Sequence, residues 1–222
     1  MSQPETSTQQ KRTRFTFADY NSSVLRLVTL PNLILTWNYL VSSRQKPSAS
    51  TDVTAPSEPE RPTQEKEQDE EEELDITPEL LENFQQDLTK RGITIAFISG
   101  AWSPAFVDLV FSSSSTGENG RDRRTLVLAS ETIYSPSSLD AFSETLLALL
   151  QRSAATTEAS KSRALVAAKK VYFGVGGGVD EFLAVLKEAS HGSDVDVNEV
   201  DIISGGVGRV ILEVAQPEHI RA

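Results

Sequence analysis

Thr125 to Tyr134, TLVLASETIY, constrains the fold of this chain more than any other stretch. Its first residues are β-branched or aliphatic and uncharged. Such a run reads as a strand of a parallel sheet buried on both faces, because helices on both sides remove any need for polar alternation. The strand runs straight into Ser130-Glu131-Thr132-Ile133-Tyr134 and then into the breaker pair Ser135-Pro136. Polar groups are thereby expected at the carboxyl edge of a sheet, where open α/β folds take their ligands. Two readings of that end stay open. Glu131 caps a helix starting near Ser137 with Tyr134 packed beneath it, or the two residues serve a site.

At 222 residues the chain accommodates one substantial domain. It contains no Cys, which excludes disulfides, thiolate metal sites and cysteine nucleophiles and suits a reducing compartment. The N-terminal MSQPETSTQQKRTR has no apolar core of a secretory signal. Val24 to Val41 is apolar but interrupted by Arg26, Pro31, Asn32 and Asn38, so it is expected to fall short of a membrane span. A soluble intracellular protein with no membrane partner is the expectation. The net charge of −11 argues against a nucleic-acid partner. Residues 41–76 alone hold 11 acidic and 4 basic side chains, which leaves the remainder at only −4.

Residues 1–13 read as a disordered tail. Arg14 to Ala18 alternates like a strand and stops at Asp19-Tyr20-Asn21, where Asn21 can cap a helix from Ser22 that Pro31-Asn32 should end. Leu33 to Leu40 reads as helical again. Residues 41–76, rich in Ser, Pro, Gln and Glu, cannot bury enough apolar surface to offset their ordering entropy and read as a disordered acidic insertion. Thr77 and Pro78 open the next helix as N-cap and first helical residue. A strand over Ile93 to Ile98 follows, ending in the polar loop Ser99 to Pro104, and Phe106 to Phe111 is a short helix or extended run. Beyond the organising strand come an amphipathic helix with Leu139, Phe142, Leu146, Leu147 and Leu150, and a strand over Ala164 to Ala168. A helix with Phe182, Leu183 and Leu186 leads to two final strands around Gly205-Gly206, a candidate antiparallel hairpin. Alternating strands and helices with a terminal hairpin predict a three-layer α/β domain.

The glycine run Gly174-Val175-Gly176-Gly177-Gly178 follows a strand and precedes a helix, which allows a dinucleotide-binding reading. Val179 stands where that pattern wants a small residue, and the run comes late in the sheet. Close packing beside the carboxyl edge is the alternative. Neither His191 nor His219 has a ligand spacing, so no metal is expected. Nucleophile-elbow and P-loop patterns are absent. Polar residues at three successive strand ends remain: Asp19, the Ser99 to Ser103 loop, and Ser130-Glu131 with Tyr134. In a doubly wound sheet these ends share a crevice. An early strand-end acid suits ribose hydroxyls, and a Trp in the next loop can cover an adenine face.

The segments FADYNSSVLRLVTLPN (17–32), FISGAWS (97–103), LASETIY (128–134) and KVYFGVGGGVDEF (170–182) resemble the protein-histidine N-methyltransferase family. The resemblance covers nearly the whole chain outside residues 1–13 and 41–76. It implies a Rossmann-like seven-strand sheet with a terminal antiparallel hairpin, S-adenosyl-L-methionine as cofactor, and methyl transfer to a protein histidine. It also implies a large-subunit ribosomal protein as substrate, no direct nucleic acid, a monomer, and residence in cytoplasm and nucleus. Residue by residue, Asp19, Tyr20 and Asn21 would lie at the cofactor ribose, Gly100, Ala101 and Trp102 beside the adenine, and Ser130 near the methyl-bearing part. Glu131 and Tyr134 match the acidic-x-x-aromatic signature at the substrate mouth and are the candidate catalytic pair. Tyr172, Phe173, Gly174, Gly176, Gly177 and Gly178 would form the substrate loop. Ala101 departs from the family's Asp at that position. The family also has a strand with a glycine-rich loop ahead of its DYN acid, where this chain has a polar tail, so an N-terminally incomplete chain lacking the first strand is expected. The alternatives are an inactive remnant serving as a protein-binding module through the acidic insertion, or an NAD-binding module built on the late glycine run.

Overall fold

The computed structural model describes residues 12–45, 73–112, 124–154, 162–172, 174, 176–192, 195–203 and 208–216. The chain divides into two compact units, Met1–Ser99 and Gly100–Ala222, each described by itself.

In the first unit, strand β1 (Thr13–Asp19) pairs in parallel with β2 (Ile93–Ser99), and Asp19 stands opposite Ser99. Phe17 stacks on Phe97 at 5.8 Å between centroids. Asn21 ends the strand and starts the helix: its side chain accepts from the Ser23 N–H, a usual N-cap bond. The helix does not stop at Pro31. α1 (Ser22–Val24) passes through a π-helical turn (Leu25–Thr29) into α2 (Leu30–Gln45). In the wide turn the Leu30 N–H reaches back to the Leu25 carbonyl, and Pro31, which has no N–H to give, follows immediately. The helix thus absorbs a proline that sequence pattern reads as its end.

By length and composition alone, the continuous helix Ser22–Arg44 is apolar enough to cross a membrane, contrary to expectation. It has partners within its own unit, however. Trp37 meets Phe84 edge-on at 5.4 Å and donates through Nε1 to Asp87 Oδ2 at 2.9 Å. Arg91 Nε donates to the same oxygen, and these two donors hold the Asp87 carboxyl below its ordinary range. The acceptor Asp87 lies on α3 (Pro78–Lys90) and Arg91 at its C-cap, whereas Trp37 donates from α2; Thr77 accepts from the Leu80 N–H as the expected N-cap.

The second unit holds α4 (Pro104–Ser112), β3 (Leu126–Ser130), α5 (Pro136–Ala154), β4 (Arg163–Lys169), α6 (Val179–Ala189), β5 (Asp196–Ile203) and β6 (Arg209–Ala215). Its strands order as β3-β4-β6-β5, with β3 parallel to β4 and the other pairs antiparallel. The expected hairpin is therefore present as β5–β6, and its Gly205-Gly206 turn lies outside the described residues. Ala164, Val166 and Ala168 of β4 and Val210, Leu212 and Val214 of β6 point to one face. Leu139, Phe142, Leu146 and Leu150 of α5 cover that face together with Phe182 and Leu186 of α6.

The opposite face overturns the expectation of a strand buried on both sides. Leu126 and Leu128 of β3 are 54% and 71% exposed, whereas Val127 and Ala129 pack on the core. Among the described residues β3 pairs only with β4, so it is an edge strand whose second face lies uncovered. The secondary-structure content is mixed α/β, with six described strands in two sheets. The helix to Gln45 and the strand from Thr13 enter stretches expected to be disordered. Residues 1–11 and 46–72, the rest of the expected tail and most of the insertion, lie outside the described residues.

Phe182 is wholly buried between Phe142 and the sheet residues of this core. Phe182→Ala should lower stability by about 3–5 kcal/mol in urea unfolding. A variant as stable as the parent would contradict the packing described.

Candidate functional site

The strongest convergence of side chains in the second unit lies at the carboxyl end of β3 and β4. Glu131 follows β3 with φ at 54°, a left-handed conformation that is uncommon for a non-glycine residue. Two bonds hold it there. Its N–H donates to the Ala167 carbonyl at 3.0 Å, which carries the β3–β4 ladder one residue further, and its carboxylate accepts from the Tyr172 hydroxyl at 3.1 Å. The same hydroxyl accepts from the Lys169 N–H at 3.1 Å. Tyr172 thereby ties the acid to the end of β4. Left-handed backbone of this kind costs on the order of 1–3 kcal/mol and persists where surrounding contacts enforce it.

Tyr134 lies 6.2 Å from Tyr172 between ring centroids, and it is about half exposed. It does not pack beneath a helix. Ser135 immediately precedes α5, and its carbonyl accepts from the Ser138 N–H and hydroxyl, while the Glu131 carboxylate is bonded to Tyr172. The structure thus shows Glu131 bonded to β4 and to Tyr172 rather than to the start of α5, and Tyr134 half-exposed, both at the sheet edge.

The glycine run closes the site from the other side. A Cβ on Gly177 would stand 2.8 Å from the Tyr134 carbonyl oxygen and 2.9 Å from that of Ile133, and its φ is +79°. Only a residue without a side chain allows this approach. Gly176 has φ +73°, and a Cβ there would meet the Pro136 ring at 3.1 Å, a tighter-than-usual side-chain contact rather than a backbone clash. Gly178 precedes α6 and forms an isolated bridge with Val171, while Gly174 has open space around it. The close approach of this loop is to protein backbone, which answers the packing reading of the run rather than the dinucleotide one. Phe173 and Val175 lie outside the described residues.

A cavity of about 340 Å³ opens beside this group, lined by Ser130, Glu131, Ala167, Ala168, Arg209 and Val210 with Ile211. Ser130 thus joins Glu131 at one opening. Arg209 was not identifiable from sequence, since only the β4–β6 register, which sets it opposite Lys169, brings it there.

The other expected residues fall elsewhere. Asp19 ends β1 in the first unit, and its Oδ1 accepts from the Asn21 N–H at 2.7 Å, so part of its capacity serves the turn. Tyr20 is exposed. In the second unit Gly100 has φ +141° with nothing within 4 Å of an added Cβ, and Ala101 follows it exposed. Trp102 meets Phe106 at 5.2 Å and Phe142 at 5.6 Å, both edge-on. Its ring is therefore largely committed to the core.

Gly177→Ala should push the loop from Ile133 and Tyr134 and lower the thermal midpoint, with a loss on the order of 1–3 kcal/mol from the strained backbone alone. Gly174→Ala, which meets no neighbour, is the comparison; equal losses in both would contradict the close approach. The Tyr172 phenol is raised above its ordinary value of 10.0, first by burial and also by the Glu131 carboxylate. A group raised in this way contributes stability that is complete below its unfolded value and is lost as pH rises through the folded one. Phenolate absorbance should accordingly show one late-titrating tyrosine, and Glu131→Gln should bring that titration to lower pH.

No protein-family model matches the chain. Curated relatives do. It is 32% identical over 212 residues to "Histidine protein methyltransferase 1" of Saccharomyces cerevisiae, covering 95% of this chain and 51% of the relative. It is 36% identical over 172 residues to the protein of that name in Schizosaccharomyces pombe, covering 78% and 40%. To "Histidine protein methyltransferase 1 homolog" of Bos taurus it is 30% identical over 198 residues, covering 89% and 41%. The chain spans about half the length of the curated relatives it matches, and by sequence it belongs to the histidine protein methyltransferase family.

Proposed function

We propose that this chain carries the substrate mouth of an S-adenosylmethionine-dependent protein-histidine N-methyltransferase. The observation that supports this best is the fixed acid at the sheet edge: Glu131, strained in backbone and tied to Tyr172, with Tyr134 beside it.

Taken unit by unit, the residues present have a chemistry that suits the nucleoside part of the cofactor. Asp19 ends a strand where a carboxylate can accept from ribose hydroxyls, Gly100 leaves open space, and Ser130 stands at the cavity. Tyr20 and Asn21 follow Asp19 in the first unit, and Ala101 and Trp102 follow Gly100 in the second; family resemblance alone assigns the former to the ribose and the latter to the adenine. The bound cofactor would supply an electrophilic methyl group. No glycine loop for its amino-acid end stands before β1 among the described residues, so that end is assigned to no residue here.

The finer fold reading follows the same line. On family resemblance we read the chain as part of a Rossmann-like seven-strand methyltransferase fold, in which helices cover both faces of the sheet. The apolar Leu126 and Leu128, exposed on a strand whose sequence is written for burial, support this. Phe15 of β1, 46% exposed, supports it too.

The chain's own part in the chemistry is positioning. An imidazole has an ordinary pKa near 6.5, so at pH 7 it is mostly neutral and has a free lone pair on one nitrogen. Glu131 accepts the N–H of the other nitrogen, which fixes the tautomer and aims the lone pair. Tyr172 holds Glu131 in place, and Tyr134 with the glycine loop shapes the pocket and excludes water. A large-subunit ribosomal protein is the proposed substrate, with a monomeric enzyme in cytoplasm and nucleus, all three on family resemblance alone.

The test is transfer of labelled methyl to histidine in large-subunit ribosomal protein, by this chain and by a protein of the relatives' length that contains it. Methylhistidine should form, and Glu131→Ala should reduce its rate by about 10²-fold, as for a reacting group no longer held in place. Wild-type turnover in that variant would remove Glu131 from the mechanism. Absence of methylhistidine in both proteins, with folding intact, would instead support a non-catalytic binding module.

A further inference from the structure

Two cations face one another at the same sheet edge. Lys169 ends β4, Arg209 begins β6, and the two are register partners in the antiparallel ladder. Residues opposite one another in such a ladder have Cβ atoms about 4.5–5.5 Å apart, and like charges there are destabilising. Among the described residues neither cation has a carboxylate within ion-pair reach. The far end of the same two strands is arranged differently: Arg163 of β4 donates to Glu213 of β6 at 2.8 Å. Their neighbour Lys170 also has an acid, Glu199, at 3.9 Å.

The unbalanced pair borders the site. Arg209 lines the Ser130–Glu131 cavity, and the Lys169 ammonium lies 5.8 Å from the centroid of the Tyr172 ring. The acid that lines the same cavity, Glu131, gives one oxygen to the Tyr172 hydroxyl and makes no ion pair with either cation among the described residues. Among the described residues this cationic pair thus has no carboxylate partner, and it lies beside a carboxylate that Tyr172 holds in place.

We infer that Lys169 and Arg209 form a carboxylate-recognition subsite that selects protein substrates carrying an acidic side chain next to the target histidine. This rests on the reading of the cavity as a protein-substrate mouth. Arg209 supplies a planar fork suited to a carboxylate, and Lys169 adds a point charge from the adjacent strand. Glu131 then engages the imidazole while the acidic neighbour binds across the β4–β6 edge.

The test uses binding, which needs no methyl transfer. Fluorescence anisotropy compares labelled histidine peptides that differ only in a Glu, Gln or Lys beside the histidine. The Glu peptide should bind this chain about tenfold tighter than the Gln peptide, in line with one charge-assisted contact, and the preference should shrink as salt rises. Arg209→Gln or Lys169→Gln should bring the preference close to unity, and Arg209→Glu should turn it toward the Lys peptide. Arg163→Gln, at the opposite end of the strands, should leave it unchanged. Equal binding of Glu and Gln peptides, no binding of either, or a preference surviving loss of both cations would overturn the subsite. So would an Arg209→Gln variant that loses affinity for S-adenosylhomocysteine in calorimetry while keeping its peptide preference, since the carboxylate recognised would then be the cofactor's. Failure of methyl transfer with the peptide preference intact would count against the enzyme reading alone.

Discussion

The site depends on one contact in which no side chain takes part. The backbone of Gly177 lies against the carbonyls of Ile133 and Tyr134, closer than any Cβ would permit. Through it the loop after β4 is seated on the connection between β3 and α5. Tyr172, near the start of that loop, reaches Glu131 at the end of β3, and Ile133, fully buried in the main core, anchors the other partner. A residue of any size at 177 would separate the two connections and, with them, the acid from the hydroxyl that holds it.

That seating is possible because the sheet is packed densely on one side. α5 and α6 bury Phe142, Leu146, Leu150, Phe182 and Leu186 against alternate residues of β4 and β6, which fixes where both connections begin. The other side of the same strands differs in kind. At roughly 25 cal/mol per Å² of apolar surface, leaving Leu126 and Leu128 in water forgoes stabilisation on the order of a few kcal/mol that their sequence could supply. Strands that alternate as cleanly as β4 and β6 describe a sheet with one committed face. The uninterrupted apolar run of β3 describes a strand meant to be covered twice.

Much of this arrangement was legible in the sequence because it is local. Thr77-Pro78 and Asn21 announce helix starts through backbone bonds made within three residues, and the heptad-like spacing from Leu139 to Leu150 announces a buried stripe. The β5–β6 hairpin follows from two apolar strands around glycines. Pro31 misled because a π-helical turn, which leaves no sequence signature, absorbed its missing donor. Family resemblance singles out the Glu131–Tyr134 pair and the glycine run, which the structure brings to one sheet edge. Their mutual geometry was not legible, since the Glu131–Tyr172 bond spans 41 residues and depends on a positive φ that Glu does not advertise. Lys169 and Arg209 were illegible for a stricter reason. Each is an ordinary basic residue at a strand end, and only the register turns them into a pair.

The way Glu131 is held bears on what it can do. An acid engaged by either nearby cation would be a poor acceptor, because the ion pair would already satisfy it. Here a neutral phenol, itself fixed by the Lys169 N–H, takes one oxygen, and the exposed residue keeps acceptor capacity for a further N–H. Among the described residues the cations are by the same choice left without a carboxylate partner. A neutral tether for the acid and free charges beside it are therefore two results of one hydrogen bond, and exchanging the Tyr172 hydroxyl for an ion pair would remove both together.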